Sequence, residues 1–173
     1  MNKKLLVMIE TAIMTALAVV LSLFAVFKMP QGGSVSLTMV PIFLIAFRRG
    51  PIAGISCGLL SGLIMQFMGT FYHPLSFILD YFAAYGVLGV AGFFRKYGYV
   101  GIVSGTVVGT LLRYICSLLS GAVLFAEYAP KGENPWIYSL GYNATYMIPE
   151  LIICVIVMVV LYAANKSIFR STK

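Results

Sequence analysis

Six apolar segments, with most of the charge held in the gaps between them and at the ends, constrain this chain more than any other feature. They run over roughly 5–27, 35–47, 52–69, 75–94, 99–126 and 137–165. A bilayer core about 30 Å thick needs about 20 helical residues to cross it. The second segment is short for that task and the fifth is long, so the second lies obliquely or borrows neighbouring polar residues, and the fifth tilts or projects. Of the 173 residues, 61% are hydrophobic and only 10% charged, whereas a soluble domain carries about 25% charge. The expected fold is all-α: one integral membrane bundle of six transmembrane helices, with residues 1–173 forming a single domain. Lys3-Lys4 before the first segment resembles the start of a signal peptide, but the apolar run to Phe27 is too long for one and no small-residue cleavage site follows. It is expected to stay as the first span.

The basic residues give the orientation. Lys3, Lys4, Arg48, Arg49, Arg95, Lys96, Lys166, Arg170 and Lys173 fall on one side of a six-span topology; only Lys28 and Lys131 fall on the other, and Arg113 lies within a span. Cytoplasmic loops carry the excess of Lys and Arg, so both termini are expected to be cytoplasmic. The net charge of +7 is therefore a topology signal and not a nucleic-acid surface. Cys57, Cys116 and Cys154 lie in apolar segments at unrelated spacings; neither a disulfide framework nor a metal site is expected. Nothing calls for a cofactor. HExxH, GxSxG and P-loop patterns do not occur in the chain, which argues against a membrane metalloenzyme, a serine hydrolase and a P-loop ATPase.

The last segment opens with Trp136-Ile-Tyr-Ser-Leu-Gly-Tyr-Asn-Ala-Thr-Tyr-Met-Ile-Pro-Glu150. On a wheel of about 100° per residue, Tyr138, Tyr142, Tyr146, Ser139, Glu150 and Asn143 share an arc of about 140°. Inside a membrane such a face lines either a cavity or a helix contact glued by hydroxyl groups. Six such residues on one arc favour a ligand cavity. Asp80, followed by Tyr81 and Tyr85, enters the fourth segment from the same side; a carboxylate among tyrosines suits a cationic aromatic ligand. Arg113 needs a counter-ion. Glu150 matches its depth and Asp80 is the alternative. Trp136 and Tyr128 fit an aromatic belt as well as a ligand-stacking role, and Tyr72 and His73 border the expected mouth. The Asn143-Ala-Thr145 sequon lies within a span and is read as coincidence. Gly54-x3-Gly58-x3-Gly62, Gly101-x3-Gly105-x3-Gly109 and Ala12-x3-Ala16 allow close helix approach, either within the bundle or to a docked partner.

These residues also form a recognisable set. Met29-Pro-Gln-Gly-Gly-Ser-Val-Ser, Val40-Pro-Ile-Phe-Leu-Ile-Ala-Phe-Arg-Arg-Gly50, Leu79-Asp-Tyr81, Leu112-Arg-Tyr114, Ser120-Gly-Ala122, Ala129-Pro-Lys-Gly132 and Trp136-Ile-Tyr-Ser-Leu-x-Tyr-Asn143 span essentially the whole chain. Together they resemble the thiamine-specific substrate-binding (S) components of energy-coupling factor (ECF) transporters. The resemblance implies a non-enzymatic, multi-pass protein of the bacterial cell membrane. It would capture thiamine from outside, dock on a membrane T component with two cytosolic ATPases, and topple in the bilayer to deliver the vitamin. Residue by residue, it implies that Asp80 receives the aminopyrimidine. Tyr81, Tyr72, Tyr138 and Asn143 would contact the ligand, and Ala12 and Ala16 would contact the T component. Three positions depart: Gly32 and Phe125 stand where members carry tryptophan, and Ser117 where they carry a ligand-contacting histidine. Trp136 offers an aromatic surface in compensation. The departures leave a thiamine precursor, or a related pyrimidine or thiazole compound, as the alternative ligand. A structural membrane protein whose tyrosines only pack helices, and an autonomous channel or carrier, are the alternatives from other classes.

Overall fold

The computed structural model describes residues 2–30, 32–68 and 74–169. Among these, helices dominate: α1 Lys3–Leu23, α2 Met39–Arg49, α3 Pro51–Met68, a continuous helical run 74–97 (α4), α5 Gly98–Leu124 and α6 Pro135–Ala164. Four stretches are long and apolar enough to cross a membrane: α1, α3, the 51-residue run through α4 and α5, and α6. That run doubles back at Gly98, whose φ of +58° is costly for any residue with a Cβ. Large apolar side chains such as Ile52, Phe67, Val100 and Ile137 stand exposed around the outside, as a lipid-facing surface requires.

The second apolar segment differs from the expected span. α2 has only 11 residues, too few to cross a bilayer, and Met39 through Phe43 together with Ile45, Ala46 and Phe47 are buried. It is a central strut, enclosed by α1, α3 and the second half of α4. Helices surround it on several sides, so its sequence shows no polar face. Gly50 ends it, with φ +102° and its N–H on the Ala46 carbonyl at 2.8 Å. Pro51 then starts α3, where a missing N–H costs nothing.

A second difference is a β-hairpin. The first apolar segment leaves the helix at Phe24, and Phe27–Lys28 pairs antiparallel with Ser34–Val35. The turn between them uses Gly32 and Gly33, both near φ +92°. Hydrophobicity alone could not separate Phe24–Phe27 from the helix before it.

The glycine ladders pack internally. A Cβ at Gly54 would meet Ala46 and Gly89, and one at Gly58 or Gly62 would meet the Tyr85 or Tyr81 carbonyl. Gly101, Gly105 and Gly109 likewise face Phe94, Ala91 with Phe47, and Phe43 with Leu88. These glycines bring α3 and α5 onto α4. Gly58→Ala is expected to lower stability by about 1–3 kcal/mol, because backbone cannot move aside as a side chain can. Thermal melting of the purified protein checks this. Ala12 and Ala16, by contrast, are exposed on α1.

One end of the bundle is tied by a cluster that the sequence did not announce. Glu10 accepts from Arg48 Nε at 3.1 Å and Nη2 at 3.2 Å, and from Arg49 Nε at 2.5 Å and Nη2 at 2.7 Å. Arg48 Nη1 also donates to the Ile168 carbonyl at 2.8 Å. The basic pair read above as a topology signal therefore also joins α1, α2 and the C-terminal turn.

Candidate functional site

At the other end lies a cavity of about 350 Å³. Its walls come from the hairpin (Lys28, Gly32, Gly33, Ser34), the end of α3 (Met65, Gln66, Met68), the first half of α4 (Ser76, Asp80, Tyr81, Tyr85), α5 (Arg113, Ser117, Ser120, Gly121, Phe125) and α6 (Tyr138, Ser139, Tyr142, Asn143, Tyr146). Ser22, Leu23 and Tyr128 complete it.

α6 delivers its aromatic face as the 3.6-residue period predicts. Asn134 caps its start, accepting from Trp136 N at 2.9 Å, with Pro135 in the first turn. Tyr138 and Tyr142 stack with centroids 5.9 Å apart, and Tyr142 meets Tyr146 at 6.4 Å and 71°. The ladder also holds the hairpin down. Tyr142 Oη donates to the Gly32 carbonyl at 3.0 Å. The Tyr146 ring lies so close to Gly33 that a Cβ there would overlap it.

Asp80 sits on a π-helical stretch, Phe77–Ala83, a wider turn that recurs at functional sites. Its Oδ2 accepts a short hydrogen bond from Ser120 Oγ. Arg113 is not its partner. Arg113 Nη1 donates to Glu150 Oε2 at 2.8 Å, and Nη2 to Tyr85 Oη at 3.2 Å. The depth-matched pair inferred from the sequence is the one formed. Glu150, fully buried, also accepts from Ser36 Oγ at 3.2 Å, just beyond the hairpin. Since Arg113 forms its ion pair with Glu150, the Asp80 carboxylate faces the cavity with a direct hydrogen bond from a hydroxyl and, among the described residues, no ion pair of its own. A charged group left this way in a low-dielectric site attracts a cation or a strong donor.

The sequence-derived candidates Asp80, Tyr81, Ser117, Tyr138, Tyr142, Asn143 and Tyr146 all meet at this cavity, as do the departing positions Gly32 and Phe125. Trp136 does not line it; it is about half exposed at the start of α6. Its neighbour Ile137 is exposed too, so this edge of the helix faces outward. Tyr72 and His73 lie outside the described residues. Asn143 reaches the cavity with its amide already engaged: Nδ2 donates to Ser139 O at 2.9 Å and Oδ1 accepts from Tyr146 Oη at 2.5 Å. Gln66 and Lys28, which the sequence did not single out, belong to the wall. Gln66 is one polar residue near the end of an apolar segment, a position indistinguishable from a membrane interface until the helices close around it.

A tyrosine-lined cavity holding a carboxylate without an ion pair among the described residues, set in a bundle of apolar helices, defines a membrane protein that binds a small molecule. The residues offer no catalytic constellation, and no metal-binding cluster of His, Cys, Asp and Glu occurs among the described residues. The chain belongs to the thiamine transporter protein family (Thia_YuaJ), whose sequence pattern matches residues 8–170. It is 45% identical to the thiamine transporter ThiT of Bacillus subtilis, over 99% of this chain and 98% of that protein. It is 28% identical to ThiT of Lacticaseibacillus paracasei, over 97% and 92% of the two chains. Among solved structures, ThiT from Listeria monocytogenes superposes with a TM-score of 0.89 at 25% identity, covering 98% of this chain and all of that one. The S component of a bacterial ECF transporter shares the fold, with a TM-score of 0.63 at 20% identity over 95% of this chain and 98% of that one.

Proposed function

We propose that this chain is the substrate-binding S component of an ECF-type importer, and that its ligand is thiamine. The observation that carries the reading is Asp80: a carboxylate that forms no ion pair among the described residues, facing a cavity walled by Tyr81, Tyr138, Tyr142 and Tyr146. Thiamine is a cation with an aminopyrimidine ring. Charge pairing with donation to Asp80, and ring contact with the tyrosines, suit both parts. Membership of the thiamine transporter family supports the same ligand.

Six helices form the membrane domain and both termini are cytoplasmic, the stretch from the hairpin to α2 completing the crossing that the 11 residues of α2 cannot make alone; the cavity end faces outward beneath the hairpin. The excess of Lys and Arg at the opposite end supports this orientation. The hairpin acts as the lid. Its glycine turn fits over the tyrosine ladder and lets it lift and reseat. The exposed Ala12 and Ala16 on α1 would give the T component a close approach, and two cytosolic ATPases would power delivery. The bilayer is that of the bacterial cell.

Isothermal titration of the purified protein with thiamine tests the ligand. Saturable tight binding is expected. Folded protein that ignores thiamine and binds another vitamin would remove the substrate and leave the class. One observation favours a second ligand: Gly32, Ser117 and Phe125, where the resemblance expects larger groups, all line the cavity. They enlarge it and remove a hydrogen-bonding ring, which favours a thiamine precursor or a related pyrimidine or thiazole. Mass spectrometry of the molecule that co-purifies with the protein separates the two.

A further inference from the structure

Among the described residues, two side-chain amides border the cavity, Asn143 and Gln66. Asn143 is committed within the protein: its N–H groups go to Ser139 and Ser117, and its oxygen accepts from Tyr146. Gln66 is different. Its residue is only 7% exposed, it lines the same cavity, and its amide has no hydrogen-bond partner among the described residues. A ligand that displaces water from the cavity must therefore supply a partner for this amide or leave a buried donor and acceptor unpaired, which is unfavourable.

Its height in the bundle is set by the helix seam. Gly62 rests on the Tyr81 carbonyl. Gln66 follows Gly62 by four residues, so it lies on the same face about 6 Å further along α3. It is thus about one helical turn from the level of Asp80, across the α3–α4 contact. The two groups have complementary chemistry. An ionised carboxylate only accepts, whereas a carboxamide both donates and accepts. An aminopyrimidine presents an amine beside a ring nitrogen, a donor next to an acceptor. Asp80 satisfies the amine and cannot satisfy the ring nitrogen. A primary carboxamide can satisfy both, as Gln and Asn do when they bind the donor–acceptor edge of adenine.

We infer that Gln66 is a ligand-contacting specificity residue, its Nε2–H donating to the ring nitrogen beside the exocyclic amine while Asp80 accepts from that amine. This rests on the aminopyrimidine reading above. It assigns the carboxamide recognition to α3, on the wall opposite the amide on α6 that the sequence pointed to.

Titration of the full-length protein with two probes tests it: thiamine, and an analogue with CH in place of the ring nitrogen adjacent to the amine-bearing carbon. The unsubstituted protein is expected to prefer thiamine by about ten- to a hundredfold, the scale of one buried hydrogen bond. Gln66→Met should lose that factor on thiamine and bind the two probes alike, with the ligand-free melting temperature unchanged. Gln66→Ser, smaller and polar, should level the two affinities in the same way and serves if methionine is not accommodated. Either variant binding thiamine with full affinity, or keeping the full preference for it over the analogue, overturns the inference and leaves thiamine as the ligand. No thiamine binding by the unsubstituted protein would instead overturn the vitamin reading, and this inference with it.

Discussion

Asp80→Asn is expected to cost about 2–5 kcal/mol of thiamine affinity, or roughly 30- to 5,000-fold, without loss of folding. Asparagine keeps the shape and one acceptor, so the hydroxyl of Ser120 still finds a partner. What disappears is the negative charge, the feature on which the proposed pairing with a cationic ligand rests. Burial magnifies the effect, since little solvent remains to replace the lost pairing. Titration of wild type and variant, beside their melting curves without ligand, separates binding from folding. An Asp80→Asn protein that fails to fold, while Glu150→Gln folds and binds normally, would show that the structural pair had been assigned to the wrong acid.

Glu150→Ala is the second large effect, and it falls on stability. Glu150 is fully buried, bonded to Arg113 and to Ser36. Removing it leaves a guanidinium in the bundle interior with Tyr85 as its one remaining hydrogen-bond partner among the described residues. Breaking a buried pair from one side costs about 3–5 kcal/mol. The charge of Arg113 would then compete for Asp80, so ligand affinity should fall as well. Replacing both partners with apolar residues of similar volume, as in Arg113→Met with Glu150→Leu, should recover much of the stability. The double-mutant cycle in melting experiments measures that coupling. A double variant less stable than the sum of the two singles would show that the pair is not the source.

The apolar segments were legible because a bilayer leaves little choice: a chain crossing it must bury its backbone in helices and show apolar side chains to lipid. The same cost made Asp80, Arg113, Glu150 and the tyrosine face of α6 stand out, for a polar group among apolar ones must have a reason to be there. Pairing by depth was enough to match Arg113 with Glu150. Depth did not reveal that Asn143 spends its amide on Ser139 and Tyr146, nor that Trp136 turns outward. Those depend on the side-chain rotamers adopted within α6 and on how the helix is turned against its neighbours. Gln66, Glu10 and Arg48 each read as ordinary residues near a membrane surface. They became wall or tie only when other helices closed over them.

Composition and period determined that this chain is a helical membrane protein, with its basic residues gathered at one end and its polar surprises at the other. They also determined which residues would be costly in lipid and therefore had to meet. The tertiary structure decided where apolar sequence stops being a span. Phe24 to Phe27 leave the helix and lead into the hairpin over the cavity, and α2 becomes an enclosed strut of 11 residues. Hydrophobicity reports that a residue avoids water; it does not report whether lipid or protein takes the water's place. That distinction, made only by packing, turned a set of polar positions into a cavity and set a carboxylate and an amide in its wall.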